Sequence, residues 1–301
     1  MRVACIGECM VELVERADGL LVRGFGGDTL NTAVYLARLG AEVDYITALG
    51  IDDWSEEMLA AWCGEGIGTG RVVRVAGRMP GLYLIQTDDG GERRFSYWRD
   101  SAPARDLFAL PQTPLILDAL SSYELIYFSG ITLSLYGEDG RATFFTALDR
   151  VKASGTRLAF DTNFRSGAWP DRDIARRAYE HALRRADIAL CSSEDLELLY
   201  ERPALDALAR FQGMPELVLK GREPGCLVIA NGSSVHVPAE RIADVVDTTA
   251  AGDSFAAAYL WARACGATPP DAARAGHRLA GTVVRYPGAI IPRDAMPAFE
   301  R

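Results

Sequence analysis

A chain of 301 residues, 49% hydrophobic and 24% charged, can bury a large core without a metal or a disulfide framework. Its formal charge of −9 argues against nucleic acid or an anionic membrane as partner, since both are held by clustered positive charge. An anionic small substrate stays open, because a few arginines can dominate one pocket.

Arg2 to Gly7 (RVACIG) reads as a buried strand. Asn31 to Leu39 follows a glycine-rich loop, carries helical apolar spacing and stops at Gly40. Glu42 to Leu49 is a strand. Ser55 to Cys63 is a helix with Ser55 as N-cap and Gly64 as stop. This alternation predicts a parallel sheet covered on both faces. Between Arg71 and Arg99 the pattern changes to RVVRV, GLYLIQT and RRFSYWR, joined by turns such as Asp89-Gly90-Gly91. With Met10 to Arg23, this predicts a small antiparallel lid beside the main sheet, over about 10–24 and 71–101. Strands then follow at Glu124–Ser129, Arg157–Asp161, Ile188–Cys191 and Leu217–Leu219, with helices at Gly140–Ala153 and Asp171–Arg185. Cys226–Ala230 and Ser234–Val237 form a hairpin around Asn231-Gly232, before helices at Gly252–Ala264 and Asp271–Tyr286.

Cys5, Cys9, Cys63, Cys191, Cys226 and Cys265 form no CxxC pair and read as buried, reduced thiols rather than zinc ligands. The opening MRVACIGECM lacks a long apolar run, and no apolar stretch reaches 18 residues; the expected compartment is the cytoplasm.

The most informative segment is Asp247 to Phe255, DTTAAGDSF. Small residues at Ala250, Ala251 and Gly252 precede a helix, whose first N–H groups and positive dipole end form an anion site. Asp253 lies in the first turn. It either caps the helix or acts as a base toward a hydroxyl attacking phosphorus, and the spacing leaves both open. Gly24 to Asn31, GFGGDTLN, is a second loop that lets backbone approach a ligand, with Asp28 able to serve as an N-cap.

Together, Gly26–Asn31 and Asp247–Phe255 resemble the two signatures of the phosphofructokinase-B, or ribokinase-like, carbohydrate kinases. The resemblance spans essentially the whole chain. The pieces GECM (Gly7–Met10), GLY (Gly81–Tyr83), YWR (Tyr97–Arg99) and GAIIPRDAMPA are similar to the branch acting on 2-dehydro-3-deoxy sugar acids. It implies a single kinase domain over 1–301, with a three-layer α/β/α fold, a mostly parallel central sheet and a small β-sheet lid. The implied reaction is ATP-dependent phosphorylation of the primary C6 hydroxyl of 2-dehydro-3-deoxy-D-gluconate. Fructose, ribose or 2-dehydro-3-deoxygalactonate are alternative substrates, and a non-catalytic sugar-acid sensor is a further alternative. A nicotinamide dehydrogenase is excluded, since no G-x-G-x-x-G follows the first strand.

By the same resemblance Asp253 is the general base and Ala250, Ala251 and Gly252 the anion hole. The family pattern has glycine where Ala250 stands, and alanine serves there if its φ is negative. Gly27, Asp28, Thr29, Leu30 and Asn31 would line the sugar pocket, with Tyr83, Tyr97, Trp98 and Arg99 descending from the lid. Arg99 and Arg165 would face the substrate carboxylate. Asn163 and Arg165 would also touch phosphates. Ser192, Lys220, Gly221, Arg222, Gly225 and His277 would border ATP. Ser192 and Asp195 stand where relatives have Asn-x-x-Glu, so Asp195 would reach Mg²⁺ through water, with no direct protein ligand to the metal. The resemblance implies ATP and Mg²⁺ as cofactors, admits a monovalent cation, and implies self-assembly as a dimer through the lid or a higher oligomer.

Overall fold

The computed structural model describes every residue except Ala17, residues 88–92, Gln212, Glu300 and Arg301, so the Asp89-Gly90-Gly91 turn lies outside the described residues. The chain opens with β1 (Arg2–Ile6), β2 (Met10–Glu15), β3 (Leu21–Gly26) and α1 (Asp28–Arg38). β4 (Glu42–Ile46), β5 (Ala48–Leu49), α2 (Asp53–Gly64), β6 (Val73–Arg74), β7 (Leu82–Thr87) and β8 (Arg93–Trp98) follow. Next come α3 (Thr113–Ala119), β9 (Leu125–Ser129), α4 (Gly130–Leu135), α5 (Glu138–Ala153), β10 (Arg157–Asp161) and α6 (Arg172–Arg185). β11 (Ile188–Ser192), α7 (Ser193–Tyr200), α8 (Ala204–Leu208) and β12 (Glu216–Lys220) lead to the hairpin β13 (Gly225–Ala230) and β14 (Ser233–Pro238). Helices α9 (Ala251–Ala264) and α10 (Pro269–Val283) complete the core.

The main sheet has eight strands in the order β14-β13-β12-β11-β10-β9-β1-β4, parallel except for β13, which runs antiparallel to both β12 and β14. Its inner strands, such as β1 and β9, are apolar on both faces because both are covered. In β1, Ala4 and Ile6 join the core that contains Phe144 and Leu183 of α5 and α6, whereas Val3 and Cys5 join the one that contains Leu36, Tyr259 and Leu279 of α1, α9 and α10. That alternation is the α/β/α layering. Asn231 and Gly232 take φ of 51° and 74°, the left-handed pair a two-residue hairpin requires.

The lid is a four-stranded sheet ordered β3-β2-β7-β8, in which β2 and β7 pair in parallel, so it is mixed rather than antiparallel. The RVVRV segment is not part of it. Val73 and Arg74 pair instead with Ala48 and Leu49. Asp52, not Ser55, caps α2: its carboxylate accepts from the N–H groups of Trp54 and Ser55, and Ser55 is buried in the first turn. Cys63 and Cys265 are exposed thiols, contrary to the expectation that all six are buried. Among the described residues no helix is long and apolar enough to cross a membrane.

Candidate active site

Ala250 holds the N-cap position of α9 without a side-chain cap, so Asp253 does not cap the helix. Its carboxylate instead accepts a hydrogen bond from Asn31 Nδ2 at 2.8 Å, while the Thr32 hydroxyl donates to its carbonyl at 3.2 Å. Ala250 sits at φ 59°, not at the negative φ expected of alanine. The left-handed region costs a residue with a Cβ roughly 1–2 kcal/mol, and the turn into α9 imposes it all the same. One of the expected anion-hole donors is engaged, because the Ala251 N–H bonds the Thr248 carbonyl at 3.2 Å. Gly252 and Asp253 follow in the first turn, whose N–H groups have no acceptor within the helix. Behind them, Phe255 to Leu260 are each at most 3% exposed. At roughly 1.5–3 kcal/mol per large apolar side chain, this packing holds the helix start in place.

Asp253 lies in a crowd of carboxylates. Burial, then the charge of Asp28, pushes its pKa up to about 8, although the Asn31 hydrogen bond and Lys220 oppose the shift. Asp28 is itself tied to Asn163, whose Nδ2 donates to it at 2.7 Å. Asn163 has φ 27° in the turn after β10, and its N–H meets Asp161 at 3.3 Å. Lys220, at the end of β12, pairs with Asp161 at 3.2 Å. A side-chain carbon built on Gly252 would stand 3.5 Å from the Lys220 Nζ, which places the ammonium at the start of α9. Burial pulls Lys220 down, but Asp161, Asp195 and Asp253 outweigh it and hold the group charged. All these groups sit past the C-terminal ends of sheet strands or at helix starts, where open α/β sheets collect ligands.

On the nucleotide side, Ser192 caps α7 and accepts from the Asp195 N–H at 3.4 Å. The Thr162 hydroxyl donates to Asp195 at 2.8 Å. Arg165 is 57% exposed and lies 3.8 Å from Asp195. Arg222 pairs with Glu197 of α7 at 2.9 Å. Gly221 begins the same exposed loop. Gly225, at φ 137°, is required where β13 meets β14. His277 packs on the Phe255 ring at 5.0 Å, and its buried Nε2 has no hydrogen-bond partner among the described residues. Burial pulls its pKa down.

The lid departs furthest from expectation. Thr29 is fully buried and shares a hydrogen bond with Tyr45, and Leu30 packs in the core, so neither side chain lines a sugar pocket. A side chain at Gly27 would collide with the Glu8 carbonyl, so this glycine serves a close backbone approach. Tyr83 is 9% exposed and donates its hydroxyl to Glu12. Tyr83 is opposite Tyr97 in the ladder and Leu82 opposite Trp98. Tyr97 and Trp98 therefore project from opposite faces and cannot both descend on one ligand. Arg99 is paired with the buried carboxylate of Glu8. Arg99 and Arg165 thus each lie beside a protein carboxylate.

The pfkB family carbohydrate kinase pattern matches residues 1–296. The chain is 43% identical to the 2-dehydro-3-deoxygluconokinase of Escherichia coli K12, covering 99% of each chain. It is 44% identical to the Dickeya dadantii enzyme of the same name, covering 98% of each. The chain belongs to the pfkB family of carbohydrate kinases. A fructokinase of Xylella fastidiosa, solved with bound ATP, superposes with a TM-score of 0.85 at 23% identity, over 98% of this chain and 95% of that one, and supports the fold.

Sequence reasoning missed several residues of this pfkB kinase cleft. Glu8 and Glu12 are acidic residues inside an apolar run, and that placement was the available signal. Asp161 and Thr162 carry none, since one carboxylate at a strand end is commonplace; only the fold shows what they face.

Proposed function

We propose that this kinase transfers the γ-phosphoryl group of ATP to the C6 hydroxyl of 2-dehydro-3-deoxy-D-gluconate. The observation that carries the reading is Asp253: a half-buried carboxylate at the start of α9, held by Asn31, whose pKa is pushed up by burial and the nearby charge of Asp28. A base titrating near working pH accepts a proton with little driving force lost. As the C6 oxygen bonds to the γ-phosphorus, its proton passes to Asp253, and the bond to the β–γ bridging oxygen breaks to release ADP. The N–H groups at the start of α9 and the Lys220 ammonium stabilise the charge that accumulates on the transferred group. The names of the relatives support the substrate, and Arg99 supplies a cation for its carboxylate.

Among the described residues no group of three or more His, Cys, Asp or Glu side chains could hold a metal. Magnesium typically keeps several waters and takes one or two carboxylates plus phosphates, and Asp195, with 14% of its side chain exposed, fits that limited role. When bound, Mg²⁺ neutralises phosphate charge. ATP would lie between α9, Lys220, the Gly221–Gly225 loop and His277. A cytoplasmic enzyme assembling through its lid completes the reading.

A fructose kinase is the second reading, because Arg99 already has Glu8 as partner and a neutral sugar would leave no orphaned charge. An assay of ADP release decides, run with 2-dehydro-3-deoxygluconate, its galactonate epimer, fructose, ribose and adenosine. The expected kcat/KM for the gluconate acid exceeds that for fructose by about 100-fold or more. Equal or greater efficiency on fructose overturns the sugar-acid reading.

A further inference from the structure

We propose that Glu8 is a positioning residue for sugar-acid recognition: its buried carboxylate holds the Arg99 guanidinium of the lid in one orientation, with an edge left for the substrate carboxylate. The inference rests on the sugar-acid reading and deepens it. Glu8 stands just beyond β1, in the body of the molecule, whereas Arg99 follows β8, in the lid. Their ion pair spans the two parts. The Glu8 side chain is 1% exposed and that of Arg99 14%. Arg105 is a second cation whose charge acts on Glu8, yet burial still lifts Glu8 above the ordinary carboxylate range.

A buried carboxylate retained for stability alone is expected to have all its acceptor sites filled. This one does not. Glu8 Oε1 and Arg99 Nε are both buried without a hydrogen-bond partner among the described residues. The Tyr136 hydroxyl, which feels the charge of Glu8, is buried and unpartnered as well. The cluster is a half-satisfied polar network, the arrangement expected where a ligand completes the set. Steric limits fix it further. A side-chain carbon at Gly81 would stand 3.0 Å from Arg99 Cβ and 3.1 Å from Glu8 Oε1, so little space remains for the pair to shift. Arginine presents its donors in a planar fork, and pinning one Nη to Glu8 sets the plane of the rest.

The competing explanation is a plain tether between lid and body. A double-mutant cycle separates the two, using the full chain with Glu8→Gln, Arg99→Ala and both together. The readouts are KM and kcat for 2-dehydro-3-deoxygluconate, KM for ATP, kcat/KM for fructose, and Tm. Arg99→Ala is expected to raise KM for the acid about 100-fold and Glu8→Gln about 10-fold, with kcat within about threefold. The double variant should match Arg99→Ala alone, and fructose should be affected at least about tenfold less than the acid. If Arg99→Ala damages acid and fructose equally, the sugar-acid reading itself fails. If Arg99→Ala is selective but the two effects multiply, or Glu8→Gln is silent, positioning fails while the reading stands. Equal losses on both sugars and ATP with a lowered Tm, from Glu8→Gln alone, would show a tether and overturn the proposal. Should Glu8→Gln not fold, Glu8→Asp replaces it: a KM raised about threefold at native Tm supports positioning, and an unchanged KM overturns it.

Discussion

The start of α9 and the lid sheet hold their polar groups by different means. At α9 the donors are backbone N–H groups of the first turn, backed by a helix whose residues Phe255 to Leu260 are almost completely buried. In the lid, polar side chains are held by other side chains: Tyr83 by Glu12 and Arg99 by Glu8. Backbone donors survive any substitution but proline, so the first region keeps its donors whichever side chain stands there, as Ala250 in a left-handed conformation illustrates. The second depends on the identity of every partner. Chemistry common to a family belongs on the first kind of platform, and substrate choice on the second.

Substitutions that strike one region and spare the other sharpen that contrast. Asp253→Asn carries the largest expected effect: a fall in kcat of about 10³-fold or more, with Kd for ATP and sugar acid within a few-fold by calorimetry. The folded-state pKa of Asp253 lies above its unfolded value, so the ionised form destabilises the fold increasingly as pH rises toward 8. Asp253→Asn should therefore raise stability at pH 9, by about 1–2 kcal/mol in thermal unfolding, and lose that gain near pH 4. Gly252→Val comes next. Its added carbons reach toward Lys220 Nζ and the phosphoryl path, so a drop of about 10–100-fold in kcat is expected with Tm nearly unchanged. A large fall in Tm with kcat retained would mean the glycine serves packing instead.

Tyr83→Phe tests the lid. Removing the hydroxyl leaves Glu12 without that donor, and a loss of about 1–2 kcal/mol in urea unfolding is expected. An unchanged midpoint would show that lid side chains are not held by pairing. The smallest effect belongs to Ala250→Gly. Relief of the left-handed strain is nearly offset by the entropy glycine adds to the unfolded chain, leaving a gain of about 0.5 kcal/mol and kcat unchanged. A marked loss of stability would contradict the strain.

The same contrast explains what could be read from the sequence. Apolar strands such as RVACIG and the small-residue approach to α9 are local patterns, so the parallel sheet and the start of α9 were legible. The lid partners were not, because Glu8 and Arg99 are 91 residues apart and only strand pairing brings them together. Thr29 and Leu30 were misplaced for a related reason. They sit in a ligand-facing loop by sequence, but the first turn of α1 rotates them into the core. The left-handed φ of Ala250 was equally invisible, since alanine by itself favours the opposite sign.

The central claim is that Asp253 is the base, and the pH dependence of kcat/KM for the sugar acid tests it most directly. With saturating ATP, activity should rise with a slope of one as Asp253 loses its proton, reaching half its maximum near pH 8 and levelling above it. The residual rate of Asp253→Asn should lack that rise. A wild-type profile that is flat or falling across pH 6.5 to 9 would contradict the account, because the proton would then be taken by a group other than Asp253.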